Sequence, residues 1–405
     1  MLKLVNHSVA EVFFVGEKTK QLSNTHVGKL LCVVTVALLV WNGFGLGKEV
    51  RMAYMLPDST YEDKMAFFKK LGPGWNLGNT LDAHSEGFFS NDPLAYECQW
   101  NNTPATRELF GAVHGAGFRT VRIPITWYPH LDDSHAVDEA WMQRVREVVD
   151  SALDSRLYVI INSHHDAWQS PFPDNLIFAE ARLRALWSQV AEMFAGYDER
   201  LLFEGMNEPR LVGAPTEYSA GTRMARRGVN RLNQAFVETI RAAGGNNPRR
   251  YLLVPTYAAS ISPDVCADFV MPEDERTAVS LHVYHPFSFA HQPEEAGRWS
   301  AQNREDVGQV ESFFEAVYGS FVQKGTPVAI TEFGAIDKKN APDRVEWTRY
   351  MAGWAAQRGI PCIWWDNGAE PENGTLHTFA LLDRQSLNWH FPEVAQALVG
   401  AYPAW

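Results

Sequence analysis

The chain has 405 residues, 46% of them hydrophobic and 21% charged, which excludes a disordered or collagen-like polymer and leaves ample apolar material for a core. Lys and Arg number 36 against 48 Asp and Glu, a net charge of −12, so neither nucleic acid nor an anionic membrane is the expected partner, since both reward a basic face. The unusual content is aromatic, with 14 Trp, 13 Tyr and 23 Phe, which suits a protein that stacks flat rings, sugars among its ligands. Cys32, Cys98, Cys266 and Cys362 are far apart and form no C-x-x-C pair, so neither a structural zinc site nor a disulfide framework is expected.

At the N-terminus, Leu30 to Trp41 is an apolar run interrupted only by Thr35, with Lys18, Lys20 and Lys29 upstream and the Gly-rich NGFGLG downstream. The run has the length of a secretory h-region and is too short for a membrane span. Residues 1–52 are therefore set apart as a leader, and export is the expected destination: extracellular, or periplasmic. The alternatives are an uncleaved anchor and a misassigned start. Stable insertion in a membrane is not expected.

From residue 53 to 405 no Pro/Ser-rich linker or charge run offers a place to divide the chain, so one domain is expected. Eight short apolar runs follow in order: Gly74–Asn79, Thr120–Ile125, Tyr158–His164, Leu201–Asn207, Tyr251–Tyr257, Ala278–Tyr284, Pro327–Phe333 and Pro361–Asp366. Their length and content read as strands. Between them lie helical patterns. Val137, Trp141, Val145, Val148, Val149, Ala152 and Leu153 mark one apolar face of an amphipathic helix. Similar stretches are Pro104–Ala116, Phe178–Phe194, Thr216–Ala243, Glu305–Gln323 and Pro342–Gln357. Alternating strands and helices predict an α/β protein with a parallel sheet covered on both faces, and eight strands close into a (β/α)8 TIM barrel. A doubly wound open sheet is the alternative, but no glycine-rich phosphate loop follows an early strand.

Polar groups end these runs: Asn76, Arg122, His164 and His165, Asn207 and Glu208, His282 and Tyr284, Glu332, and Trp364 and Trp365. Any one of them taken singly reads better as a helix cap, a structural ion pair or a core histidine. Together they fall at the rim where barrel enzymes carry their chemistry. Glu208 ends the fourth run and Glu332 the seventh, which face each other across a barrel mouth. Two carboxylates across a cleft are the minimum for glycoside hydrolysis, one protonated and one ionised. Arg122 would keep the nucleophile ionised, and the Glu332 charge would in turn hold the proton on Glu208.

The ordered motifs Asn76-Leu77-Gly78-Asn79-Thr80-Leu81-Asp82-Ala83, Arg122-Ile123-Pro124, His164-His165-Asp166, Asn207-Glu208-Pro209, His282-Val283-Tyr284, Thr331-Glu332-Phe333-Gly334 and Trp364-Trp365-Asp366-Asn367-Gly368 resemble glycoside hydrolase family 5, of the retaining clan A. The resemblance covers residues 70–390. It implies that Glu208 is the acid/base and Glu332 the nucleophile. Arg122, His164, Asn207, His282, Tyr284 and Trp365 would line the sugar subsite at the cleavage point, and His165 and Asn76 the neighbouring one. The segments Leu81-Asp82-Ala83, Tyr284–Gln292 and Phe379–Arg384 are similar to the subfamily 4 endo-β-1,4-glucanases. These act on cellulose, mixed-linkage glucan, xyloglucan or xylan. A β-glucan polymer is thus the expected partner, of a monomer that needs no cofactor and no metal. Trp127, Trp168 and Trp299 are candidate outer sugar platforms or core residues. Arg223, Arg226, Arg227 and Arg231 read as a solvated or salt-bridged helix face rather than a binding patch. The rival readings are a β-mannanase or exo-β-glucosidase of the same fold, a metal-dependent barrel hydrolase using His164, His165, Asp166 and His282, and a non-catalytic sugar-binding barrel.

Overall fold

In the computed structural model of the chain, residues 64–100, 102–369 and 377–403 are described; the proposed leader, 1–52, lies outside them. The described residues belong to one compact unit, Ser59–Trp405. Eight parallel strands close on themselves in sequence order. They are β1 (Gly74–Asn76), β2 (Thr120–Ile123), β3 (Tyr158–Asn162), β4 (Leu201–Glu204), β5 (Leu252–Pro255), β6 (Thr277–Val283), β7 (Val328–Phe333) and β8 (Cys362–Trp364). β1 pairs with β8 through Gly74 and Trp75, which completes the (β/α)8 barrel. Every predicted run holds a strand, and most runs outlast it: the polar motif residues lie at the strand tips or just beyond.

The alternation of strand side chains explains both cores. Val121, Val159, Ile161, Leu201, Phe203, Leu252, Val254, Val279 and Leu281 point outward into one large cluster under the helices. Ile160, Leu202, Leu253, Ala278, Ala329 and Ile363 point inward and fill the lower barrel. The inward positions one step higher are polar: Asn76, Arg122, Asn162, Glu204, Ser280 and Thr331, all fully buried. The barrel therefore has an apolar floor and a hydrogen-bonded ceiling. Helix Lys64–Lys70, which the sequence pattern did not announce, closes the bottom with Phe67 stacked on Tyr251, ring centroids 3.6 Å apart.

The predicted helices appear as Arg107–Gly115, Glu139–Asp154, Leu176–Met193, Arg223–Ala242, Arg304–Ser320 and Ala341–Gln357. One expectation is corrected. The stretch Thr216–Ala243 turns helical only at Arg223, because Thr222 caps that helix by accepting from Ala225 N, and the residues before it form a loop. On this helix Arg223 and Arg226 pair with Asp268, and Arg231 with Glu180, as a salt-bridged face should. Cys98, Cys266 and Cys362 are free thiols. Among the described residues no helix is long and apolar enough to cross a membrane.

Candidate active site

A slip in strand pairing builds the mouth. β6 and β7 pair regularly up to Leu281 opposite Ile330, then shift so that His282 lies opposite Glu332. Such irregularities re-aim side chains at barrel rims. Here it brings the Glu332 carboxylate inward beside His282.

Glu332 is gripped from below and from the side. Arg122 Nη1 donates to its Oε1 at 2.8 Å, and the Tyr284 hydroxyl donates to its Oε2 at 3.1 Å. The Arg122 guanidinium is itself fixed on all edges. Its Nε donates to Glu204 at 2.7 Å, Nη1 also to Asn76 Oδ1 at 3.0 Å, and Nη2 to Asn207 Oδ1 at 2.7 Å. Glu204 completes its shell with Asn162 Nδ2 at 3.0 Å and the Ser280 hydroxyl. Burial alone would make Arg122 easier to deprotonate, but Glu204 and Glu332 more than reverse this, so the guanidinium holds its charge.

Glu208 stands across the mouth. Its Oε1 shares a 2.7 Å hydrogen bond with His282 Nδ1, which lies 3.4 Å from Glu332 Oε2. Carboxylate oxygens of Glu208 and Glu332 come within 4.8 Å of each other. Burial pushes the Glu208 carboxyl up, but the His282 contact and the charge of Arg210 outweigh it, and the net displacement is downward. Burial lowers His282, yet Glu332 and Glu208 raise it overall. His282 therefore stands between the two carboxylates and competes with Glu208 for the proton that Glu332 was expected to hold there.

The remaining site residues divide by depth. Trp365 is half-buried and lies parallel to His164, centroids 5.7 Å apart. Gly78 makes room for it, since a Cβ there would stand 2.8 Å from the indole. His165 is exposed at the rim. Asn76 is corrected: it is fully buried, donating to the carbonyls of Thr331, Ile363 and Trp364, so it ties β1 to β7 and β8 and cannot line a sugar subsite. Arg122 is equally buried and acts through its partners. Trp127, Trp168 and Trp299 are corrected as platforms, being core residues with almost no exposed surface. Beyond β1, β2 and β3, half-buried Trp100 and exposed Tyr128 gather with His84 and His165. Sequence reasoning missed them, as it missed Glu204.

Two residue trios have the spacing of metal ligands: Asp82, His164 and His165, and Glu208, His282 and Glu332. The chemistry of the donors disfavours both. Asn162 Oδ1 accepts from Ile125 N and its Nδ2 donates to Glu204, so its orientation is fixed and His164 Nδ1 must accept from Nδ2 at 3.1 Å. The His164 proton then sits on Nε2, the atom that would have to bind the metal. In the second trio, His282 Nδ1 is engaged with Glu208, and its raised proton affinity opposes metal binding.

A parallel barrel with two facing carboxylates, one held by an arginine and a tyrosine, is the constellation of a glycosidase. The comparisons with known proteins agree. Residues 81–371 match the Cellulase model, glycosyl hydrolase family 5, and the chain belongs to that family. It is 38% identical over 380 residues to Endoglucanase A of Clostridium longisporum, covering 92% of this chain and 72% of that one. A GH5-4 broad specificity endoglucanase from Ruminococcus champanellensis, solved with bound cellotriose, superimposes with a TM-score of 0.79 at 40% identity, over 83% of this chain and 97% of that one. A GH5 family lichenase from Caldicellulosiruptor sp. F32 gives 0.80 at 39%, over 84% and 96%.

Proposed function

We propose that this family 5 enzyme is an endo-β-1,4-glucanase that works by double displacement, with Glu332 as nucleophile and Glu208 as acid/base. The observation that carries the reading is the separation of the two carboxylates, within 4.8 Å at their nearest oxygens. Retaining enzymes hold their carboxyl groups ~5–5.5 Å apart, whereas an inverting pair needs ~6.5–9.5 Å to admit water. In the first step Glu332 attacks C1 while Glu208 delivers a proton to the glycosidic oxygen; the C1–O bond breaks and a glycosyl-enzyme ester forms. In the second, Glu208 takes a proton from water, the hydroxide attacks C1, and Glu332 leaves as carboxylate. Arg122 and Tyr284 keep Glu332 in place, and Tyr284 donates to the oxygen nearest His282. Trp365 offers its face to the sugar being attacked, with His164 Nε2–H as donor beside it.

The substrate reading follows from relatives described as endoglucanases and a lichenase. β-1,4-glucan and mixed-linkage glucan come first, and xyloglucan or xylan second. We further read residues 1–52 as an export leader, residues 53–405 as the catalytic domain, and the enzyme as a secreted monomer. The test is product analysis on carboxymethylcellulose, lichenan, xyloglucan, xylan and mannan. Viscosity of the cellulose derivative should fall much faster than reducing ends accumulate. Cleavage of mannan alone, or release of glucose with viscosity unchanged, overturns the assignment.

A further inference from the structure

At the end of the barrel away from the two glutamates, where β1 and β2 begin, lies a cavity of about 450 Å³ that sugar cleavage leaves unused. Its size falls within the ~300–1,000 Å³ of small-molecule sites. Phe118, Tyr402, Val399 and Pro73 form apolar walls, and Arg119 and Arg156 stand on it as cations. The walls are fixed before any ligand arrives. The Tyr402 hydroxyl accepts from Cys362 N at 2.9 Å and donates to the Ile360 carbonyl at 2.9 Å, which ties the ring to the start of β8. Phe118 is stacked on Trp389, ring centroids 5.6 Å apart. Gly117, at φ +100°, lets helix Pro392–Val399 close in on the turn before β2, since a Cβ there would stand 2.8 Å from Val399 Cγ1. Arg119 N donates to the Pro73 carbonyl at 2.9 Å and its guanidinium to the Pro403 carbonyl, so this arginine is held at both ends. A slot whose parts are already ordered loses little entropy when it is filled.

Charge names the occupant. The chain carries −12, yet among the described residues no Asp or Glu lines this cavity. A basic residue at a helix C-terminus complements the helix dipole, which accounts for Arg156 just after helix Glu139–Asp154. It does not account for Arg119, which belongs to no helix and directly precedes β2. Burial makes the Arg119 guanidinium easier to deprotonate, a cost that an anion beside it would offset. A guanidinium fork matches a carboxylate in its own plane. The rings of Phe118 and Tyr402 suit a flat apolar body, whereas the hydroxyls of a sugar would find few partners on such walls.

We infer that this cavity is a binding site for a planar aromatic carboxylate, its ring against Phe118 and Tyr402 and its carboxylate on Arg119 and Arg156. The site is remote from the mouth, and the inference does not depend on the glycosidase reading. A ligand bound there braces helix Pro392–Val399 against the starts of β1 and β2, and so stabilises the folded chain.

The test is calorimetric titration of the full chain with trans-cinnamate, with cinnamyl alcohol as the same ring without charge and acetate as the charge without a ring. One cinnamate should bind per chain, cinnamyl alcohol at least about ten-fold more weakly, and acetate not measurably. Tm should rise with cinnamate concentration. Saturating cellotriose should leave the cinnamate affinity unchanged. Arg156 is exposed, so Arg156→Gln should keep the fold and the rate on lichenan; it should weaken cinnamate about five-fold and leave cinnamyl alcohol unaffected. Val399→Phe should fill the cavity and abolish binding of both ring compounds, with lichenan hydrolysis showing that the variant is folded; if it does not fold, Arg156→Gln decides. Absence of cinnamate binding, equal binding of the alcohol, competition by cellotriose, or an affinity unmoved in Arg156→Gln each overturns the inference.

Discussion

Glu204→Gln tests whether the ceiling of the barrel is held by charge. Glu204 is fully buried and accepts from Arg122 Nε at 2.7 Å, Asn162 Nδ2 at 3.0 Å and the Ser280 hydroxyl. Glutamine keeps the shape but removes the charge and turns one acceptor into a donor, which then faces Arg122, Asn162 or Ser280. Breaking a buried ion pair by neutralising one partner costs roughly 3–5 kcal/mol. Arg122 retains Glu332, Asn76 and Asn207, so the lower end, about 3 kcal/mol, is expected. For a domain of this size that corresponds to a drop in Tm on the order of 5 °C. Activity should fall too, because the guanidinium that orients Glu332 loses its second anchor. Thermal unfolding followed alongside kcat/KM on lichenan, at temperatures where the variant is folded, separates the two effects. A variant with Tm within about a degree of the parent and kcat/KM within about two-fold would refute the reasoning, since such a loss is under ~1 kcal/mol on either scale.

Glu332→Ala should abolish turnover while cello-oligosaccharide binding, read by calorimetry, is largely kept. Glu208→Ala should lose far more activity on glucan than on an activated aryl glycoside, whose leaving group needs no proton; equal loss on both substrates contradicts the assigned roles. The kcat/KM profile should be bell-shaped. Its basic limb belongs to the single proton shared by Glu208 and His282, and lies above the ordinary histidine range because His282 is raised by Glu332 and Glu208. As pH rises through that value the pair loses the proton the leaving group needs, and the rate falls. His282→Asn leaves Glu208 to hold the proton alone, so the basic limb should move down toward the carboxylate range; a limb that stays in place would assign the proton elsewhere.

Much of the fold is legible from two periodicities. Near-continuous apolar runs such as Tyr158–Asn162 mark strands buried on both faces, and spacings such as Val145, Val148, Val149 and Ala152 mark a helix that covers them. What periodicity misses is what tertiary contact creates. Helix Lys64–Lys70 is seven residues long, too short to show a period, and exists because Phe67 and Phe68 plug the barrel floor. The helix expected from Thr216 starts at Arg223 because a polar loop and a helix share composition there, and only the Thr222 cap decides.

The site is legible where chemistry repeats a motif and illegible where it depends on depth. Glu208 and Glu332 stand at strand tips with neighbours that betray them, whereas Glu204 reads in sequence as one more acidic residue in an apolar strand. Its inward position follows from parity with Leu202, but only the closed barrel shows that Arg122 lies within reach across two strands. The tryptophans illustrate the converse. Trp127 follows a strand just as Trp365 does, yet its Nε1 donates to the Asn162 carbonyl at 2.9 Å and the ring packs beneath the mouth. Trp365 escapes that fate because Gly78 leaves space under the indole and the Asp366 side chain ties the next residue down, accepting from Trp75 Nε1 at 3.0 Å and Leu381 N at 2.7 Å. Whether an indole feeds the core or meets a sugar is thus set largely by residues tens to hundreds of positions away, such as Asn162 for Trp127 and Gly78 for Trp365, which no local pattern around the tryptophan records.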